Sequence, residues 1–159
     1  MGLEIERKFL VKNDSWKDEI KEIISIRQGY LNSETERTVR IRIHGEQGIL
    51  TIKGKNQNLT RKEFEYPIPL NEALDLLQIC EKPIIKKTRY LISSDNKTWE
   101  IDVFEGKNKG LVVAEIELNS EEESFIFPSW LGEEVSSDAK YYNSSLITAP
   151  YSSWNKLEK

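Results

Sequence analysis

With 159 residues, 31% of them charged, and a formal net charge of −4, the chain is long enough to bury one substantial core without disulfides and too acidic to attract nucleic acid or an anionic membrane by overall charge. Any anion must be held by a local cluster. Cys80 is the single cysteine, no charged-then-apolar leader precedes the first strand, and no apolar run approaches the roughly 20 residues of a membrane span, so one soluble, cytoplasmic domain over residues 1–159 is expected.

The chain opens on Glu4-Ile5-Glu6-Arg7-Lys8-Phe9. In a strand, side chains alternate between faces, which puts Glu4, Glu6 and Lys8 on one side and Leu3, Ile5, Arg7 and Phe9 on the other. Two carboxylates two residues apart repel, and a divalent cation between them would reconcile them; the same charges would also serve as the wet face of an edge strand. Asn13 or Asp14 is placed to cap a helix running to about Ser25, with Trp16, Ile20, Ile23 and Ile24 as its apolar stripe. A short strand over 27–31 follows, then a turn at Asn32-Ser33 and a longer strand over 36–43. Gly45-Glu46-Gln47-Gly48 closes a hairpin to a strand over 49–55, and the polar loop 56–60 leads to a strand over 61–68. These connections are too short for crossovers, so the neighbours are antiparallel. His44, the only histidine, is read as a turn residue, which argues against histidine catalysis or zinc.

Pro69 opens a second helix with Leu70, Ala73, Leu74, Leu77 and Cys80 as its stripe, ending before Pro83; Cys80 is read as a packed side chain rather than a nucleophile. Strands resume over 84–93, 98–105 and 111–118, joined by hairpin loops at Ser94-Asp95-Asn96-Lys97 and at 106–110, which makes eight candidates. The acidic run Glu121 to Glu123 is a solvated loop or helix start, and the tail from Pro128 reads as short helical pieces with Trp130, Tyr141, Tyr142, Leu146 and Ile147 to bury.

Strand by strand, one face carries Glu4/Glu6/Lys8, Arg40/Arg42, Lys53, Arg61/Glu63/Glu65, Lys87/Arg89, Glu100/Asp102 and Glu115/Glu117, and the other is apolar. Alternation alone does not say which face is inside, since a barrel turned inside out keeps the pattern. Two features favour charges inside: amphipathic helices are available to cover an apolar exterior, and the signs are segregated by strand, where a surface would intersperse them. Acidic pairs suit hard divalent metals with oxygen ligands. Basic pairs suit phosphates gripped by guanidinium forks and ammonium groups. Together they describe a tunnel for a metal-bound chain of phosphates.

The motifs Glu-Ile-Glu-Arg-Lys-Phe-Leu-Val (4–11), Arg-Gln-Gly-Tyr-Leu (27–31), Arg-Ile-Arg (40–42), Leu-Thr-Ile-Lys (50–53), Arg-Lys-Glu-Phe-Glu (61–65), Lys-Thr-Arg-Tyr (87–90), Trp-Glu-Ile-Asp-Val-Phe (99–104), Ala-Glu-Ile-Glu-Leu (114–118) and Asp-Ala-Lys-Tyr-Tyr-Asn (138–143) resemble the CYTH domain of the triphosphate tunnel metalloenzymes, in its short bacterial form. The resemblance covers nearly the whole chain. It implies an α+β, predominantly β, fold: an eight-stranded antiparallel closed barrel with a charged lumen and helices packed outside. Carried over position by position, it implies metal binding by Glu4, Glu6, Asp102, Glu115 and Glu117, two Mg²⁺ per site with Mn²⁺ as a substitute. It implies a phosphate grip of Lys8, Arg40, Arg42, Lys53, Lys87, Arg89 and Lys140, with Lys8, Lys87 and Arg89 catalytic. Lys140 lies outside the strand pattern and rests on its motif alone. Glu63, Glu65 and Glu100 would balance lumen charge without touching metal, Arg61 lies between lining and rim, and Tyr30 between lumen and core.

The resemblance further implies hydrolysis of a triphosphate. The short members are expected to act on inorganic triphosphate, giving pyrophosphate and phosphate, and this chain has no basic extension for RNA and little beyond the barrel to build an adenine or thiamine pocket. Aromatic residues of the tail leave a class IV-type adenylate cyclase and a thiamine or nucleoside triphosphatase open. A non-catalytic polyphosphate or nucleotide sensor would keep the basic grip but need no complete carboxylate set. Apolar outer surface beyond what the helices cover would favour a homodimer. A lumen Asp102 bound to metal leads to the expectation that Asp102→Ala costs little stability, or even gains some by relieving repulsion.

Overall fold

The alternation is resolved by pairing. In a computed structural model of the chain, which describes residues 2–155 and 159, the strands are β1 (Gly2–Val11), β2 (Ile20–Asn32), β3 (Arg37–His44), β4 (Gln47–Gly54), β5 (Thr60–Ile68), β6 (Ile85–Ser94), β7 (Lys97–Phe104), β8 (Val112–Glu117) and β9 (Leu131–Glu134). Helix α1 spans Leu70–Ile79 and a single turn, α2, spans Ser145–Thr148. The sheet runs β5-β4-β3-β2-β6-β7-β8-β1, and a further pairing of β5 with β1 closes it into an eight-stranded antiparallel barrel, with β9 added along β1. Gly2 to Ile5 pair with β5, whereas Glu6 to Leu10 pair with β8, so β1 is the strand at which the sheet meets itself. Closure removes the open sheet edges that β5 and β1 would otherwise present. The two-residue turns carry the positive φ such hairpins require, at Gly45 (64°) between β3 and β4 and at Asp95 (50°) and Asn96 (63°) between β6 and β7.

Outward-facing Phe9, Trp99, Ile101, Ala114 and Ile116 form a fully covered cluster with Trp16, Trp130 and Leu131. Trp99 meets Trp130 and Phe125 edge to face, with ring centroids 5.3 and 5.4 Å apart. A second outer cluster places Ala73, Leu77 and Cys80 over Ile41 and Ile43, so Cys80 is a packed thiol as expected. Two glycines let this layer close: a Cβ at Gly48 would lie 2.8 Å from that of Ala73, and one at Gly29 would lie 2.7 Å from that of Cys80. The third cluster is inside. Leu10, Ile85, Phe104 and Val113 lie next to charged residues on the lumen face of their strands, and Tyr30 next to Gln28, and they pack with Tyr141, Leu146, Ile147 and Trp154, so the C-terminal segment closes one end of the barrel.

Two expectations are corrected. The helix over 13–25 is only a 3₁₀ turn at Ser15–Glu19, and Ile20 already opens the 13-residue β2, which absorbs the short strand expected at 27–31. Trp16, Ile20, Ile23 and Ile24 have helical spacing, but the run Ile20, Ile23, Ile24, Ile26 is β-branched and stiff at χ1, and Ile24, Ile26, Gln28 and Tyr30 give β2 a period-two buried face. The barrel's exterior is therefore covered by one helix and by irregular segments around Trp16 and Phe125 to Leu131. The tail, expected to be all short helical pieces, also contributes β9, whose Leu-Gly-Glu-Glu carries no alternation to announce it. No helix among the described residues is long and apolar enough to cross a membrane. Ile52, Phe64 and Tyr66 remain 38, 38 and 49% exposed on the outer face, Tyr66 sharing a shallow cleft with Leu70.

Candidate active site

All eight barrel strands line one central cavity of about 480 Å³, seven of them with charged side chains and β2 with Tyr30. Its acidic side begins with Glu4, Glu6, Glu115 and Glu117, where Glu6 lies directly opposite Glu117, and Lys8 opposite Glu115, across the β1–β8 pair. Lys53 reaches over from β4 to bond both carboxylate oxygens of Glu4 at 2.9 and 3.0 Å and lies 3.6 Å from Glu63. Glu65, Glu100 and Arg61 also line the cavity, as does Tyr30, which at the same time belongs to the apolar end cluster.

The basic side is built by β3 and β6. Arg40 donates from Nη2 to Thr51 Oγ1 at 3.0 Å, with Glu65 3.7 Å away, while its buried Nε has no hydrogen-bond partner among the described residues. Arg42 donates to Gln28 Oε1 at 2.8 Å. Arg89 touches Glu100 at 3.4 Å and Glu115 at 3.8 Å. Lys8 lies 3.9 Å from Glu115 and donates to the Tyr141 carbonyl at 3.0 Å. The end wall comes from the C-terminal segment: Tyr142, Asn143 and Ser144 line the cavity, and Asn143 accepts from Lys87 at 2.9 Å.

Two expected site residues stand elsewhere. Asp102 is fully buried behind the basic wall, 2.7 Å from Lys87 and held by Arg89 through a fork at 2.8 and 3.0 Å; it is a counter-ion there and is not among the residues lining the cavity. The Lys140 ammonium lies 4.7 Å from the ring centre of Trp154 and 5.3 Å from that of Tyr141, on the tail rather than in the lumen. Gln28 and Asn143 lie within motifs legible in the sequence, but neither is charged, so charge segregation could not single them out.

Burial and like charge set the carboxylates apart. Burial raises Glu6 well above the ordinary carboxylate range, and Glu115 and Glu4 add to this; burial and Glu4 push Glu63 up to about 7. Glu117 is raised by burial and then by Glu4. Burial acts the same way on Glu4 and Glu115 but is outweighed, by Lys53 for Glu4 and chiefly by Lys8 for Glu115, which falls to about 2. A raised carboxyl keeps its proton in the native protein after the unfolded chain has lost it, so it removes stability as pH rises. Depressed Glu4 and Glu115 contribute fully above the ordinary range and lose that contribution only at lower pH. The metal-free protein should therefore lose melting temperature from about pH 4.5 to 7 as Glu63 is forced to ionise, and Mg²⁺ should flatten that decline. A melting temperature independent of pH across this window, or an unchanged slope with Mg²⁺, would contradict it.

The donor set fits a divalent metal. Glu4, Glu6, Glu115 and Glu117 offer oxygen alone; Glu6 and Glu117 are raised first by burial and then by neighbouring carboxylates, and a cation between them would offset both effects. Among the described residues no three His, Cys, Asp or Glu side chains stand together as a metal cluster.

A closed barrel that holds cations against one wall and carboxylates against the other defines a class of protein: a tunnel for a linear polyanion and its metal. The chain belongs to the CYTH domain family, whose model matches residues 2–151, and CYTH enzymes of the triphosphate tunnel type are metal-dependent. It is 44% identical over 157 residues to an inorganic triphosphatase of Acetivibrio thermocellus, covering 98% of this chain and 100% of that one. It is 37% identical over 147 residues to an inorganic triphosphatase of Nitrosomonas europaea, covering 90 and 95%. A crystal structure described as an inorganic triphosphatase shares the fold with a TM-score of 0.65 at 34% identity, covering 90% of this chain and 96% of that chain.

Proposed function

We propose that this protein hydrolyses inorganic triphosphate to pyrophosphate and phosphate, with two Mg²⁺ ions, replaceable by Mn²⁺, as cofactors. The observation that carries this is the basic wall of the cavity, where the orphaned Nε of Arg40 lacks an acceptor that a phosphate oxygen would supply. The identity to two inorganic triphosphatases over nearly the full chain supports the same substrate. Glu4, Glu6, Glu115 and Glu117 would hold the metal. When bound, it neutralises phosphate charge and lowers the pKa of the attacking water. Arg40, Arg42 and Lys53 grip the phosphates, and Lys8, Lys87 and Arg89 hold the charge that collects on the departing pyrophosphate as the bridging P–O bond breaks and water oxygen forms the new one. Asp102 keeps Lys87 and Arg89 in place from behind. The exposed strip of Ile52, Phe64 and Tyr66 supports a homodimer.

Phosphate release from inorganic triphosphate should vanish in excess EDTA and return on adding Mg²⁺ or Mn²⁺. Full turnover in the chelator would overturn the metal's part, and triphosphate bound without turnover under Mg²⁺ would make the protein a sensor.

A further inference from the structure

Two neutral amides stand among the lumen cations. Asn143 Oδ1 accepts from Lys87 Nζ at 2.9 Å and from Gln28 Nε2 at 3.1 Å, and Gln28 Oε1 accepts from Arg42 Nε at 2.8 Å. The orientation is fixed by its ends: ammonium and guanidinium groups only donate, so each amide must turn its oxygen to a cation, which leaves the Gln28 NH₂ to bridge to Asn143. Gln28 is fully buried, and Lys87 and Arg42 are 1 and 8% exposed. Elsewhere the lumen pairs cations with carboxylates, as in Lys53 with Glu4 and Lys87 with Asp102 on its other side. At these two contacts it uses groups of the same reach and no charge.

The difference matters because a carboxylate would hold the cation and also cancel it, whereas an amide holds it and leaves its field for an anion. Arg42 is short of counter-charge: burial, then Arg40 and Arg89, lower it to about 9. Asn143 also ties the end wall to the site, alongside the Lys8 bond to the Tyr141 carbonyl, so the seating of the C-terminal segment sets where Lys87 points.

We propose that Asn143 and Gln28 are positioning residues that aim Lys87 and Arg42 at the phosphates of the substrate without neutralising them. This rests on the triphosphatase reading above. It predicts opposite effects on stability and affinity. In the full chain, Asn143→Asp and Gln28→Glu should raise the melting temperature of the ligand-free protein, because each adds an anion where cations outnumber carboxylates: Arg42 has no ion-pair partner among the described residues, and Lys87 shares the one Asp102 with Arg89. Both should raise KM for inorganic triphosphate on the order of tenfold or more, because the same anion competes with phosphate. Asn143→Ala should instead lower both melting temperature and kcat/KM.

Melting curves without ligand and steady-state kinetics with inorganic triphosphate and Mg²⁺ read both effects. A KM within twofold of wild type in the two acidic variants would overturn the proposal. So would a joint fall of melting temperature and affinity in them, since that is what a purely structural role predicts. If the wild-type protein neither binds nor hydrolyses inorganic triphosphate, the functional reading falls and this proposal with it; if wild type turns over and Asn143→Asp matches it, this proposal alone falls.

Discussion

Asp102→Ala should destabilise the protein by about 3–5 kcal/mol and remove most of its turnover. Burial alone would push the Asp102 carboxyl up, yet Arg89 and Lys87 outweigh it and hold the group well below the ordinary carboxylate range. Its removal strands two cations in a region where both are buried. Lys87 can limit the cost by giving up its proton, but the grip then loses a charge; Arg89 cannot. Stability and activity therefore fall together. Asp102→Asn, which keeps the shape, should lose less, because its amide oxygen can still accept from Lys87 Nζ and Arg89 Nη2, although its NH₂ then faces the Arg89 Nε–H that the second carboxylate oxygen accepted. Urea melts decide it: an Asp102→Ala midpoint and slope equal to wild type would mean that Asp102 is not the counter-ion of the basic wall. The outcome expected from sequence alone, little loss or a gain, assumed a carboxylate repelled by metal-free neighbours, and the fork from Arg89 reverses the sign.

Arg40→Ala should lower kcat/KM for inorganic triphosphate by about 10²–10³ while leaving the melting temperature close to wild type. The side chain is anchored at one end only, through Nη2 on Thr51, and its Nε faces no acceptor among the described residues. A donor desolvated in the free protein and paired only when an anion arrives contributes to binding rather than to the fold. Arg40→Lys should recover little, since an ammonium cannot reproduce the planar fork that presents Nε and Nη2 together. Kinetics within threefold of wild type in Arg40→Ala would show that phosphate does not meet this residue.

Much of this site was legible because period two is rigid: once Glu4, Glu6 and Lys8 share a face, so do Arg40 with Arg42 and Lys87 with Arg89, whichever way that face points. Its direction was not legible from alternation; it is set by the outer layer, where Trp16, Trp130 and α1 cover the apolar face, while charged side chains meet across the interior, as Lys53 of β4 meets Glu4 of β1. Depth along the barrel was also hidden. Glu100 and Asp102 occupy successive positions on one face of β7, yet only Glu100 lines the cavity, because at the level of Asp102 the lumen is already filled by Lys87, Arg89 and the apolar end cluster. Lys140 was misplaced for a related reason: its motif is near the site, but its side chain turns onto Trp154. Over 13–25 the helical spacing of Trp16, Ile20, Ile23 and Ile24 competes with side-chain type, and four isoleucines in seven residues, Ile20 to Ile26, favour the strand that forms.

The most direct measurement is the product analysis of purified protein given inorganic triphosphate, ATP or thiamine triphosphate with Mg²⁺, followed by phosphorus NMR. A tunnel that grips the phosphate chain and little else predicts the highest kcat/KM for inorganic triphosphate, with pyrophosphate and phosphate formed in equal amounts and pyrophosphate left intact. Preferential turnover of ATP or thiamine triphosphate, cyclic AMP among the products, or no hydrolysis of inorganic triphosphate would contradict it.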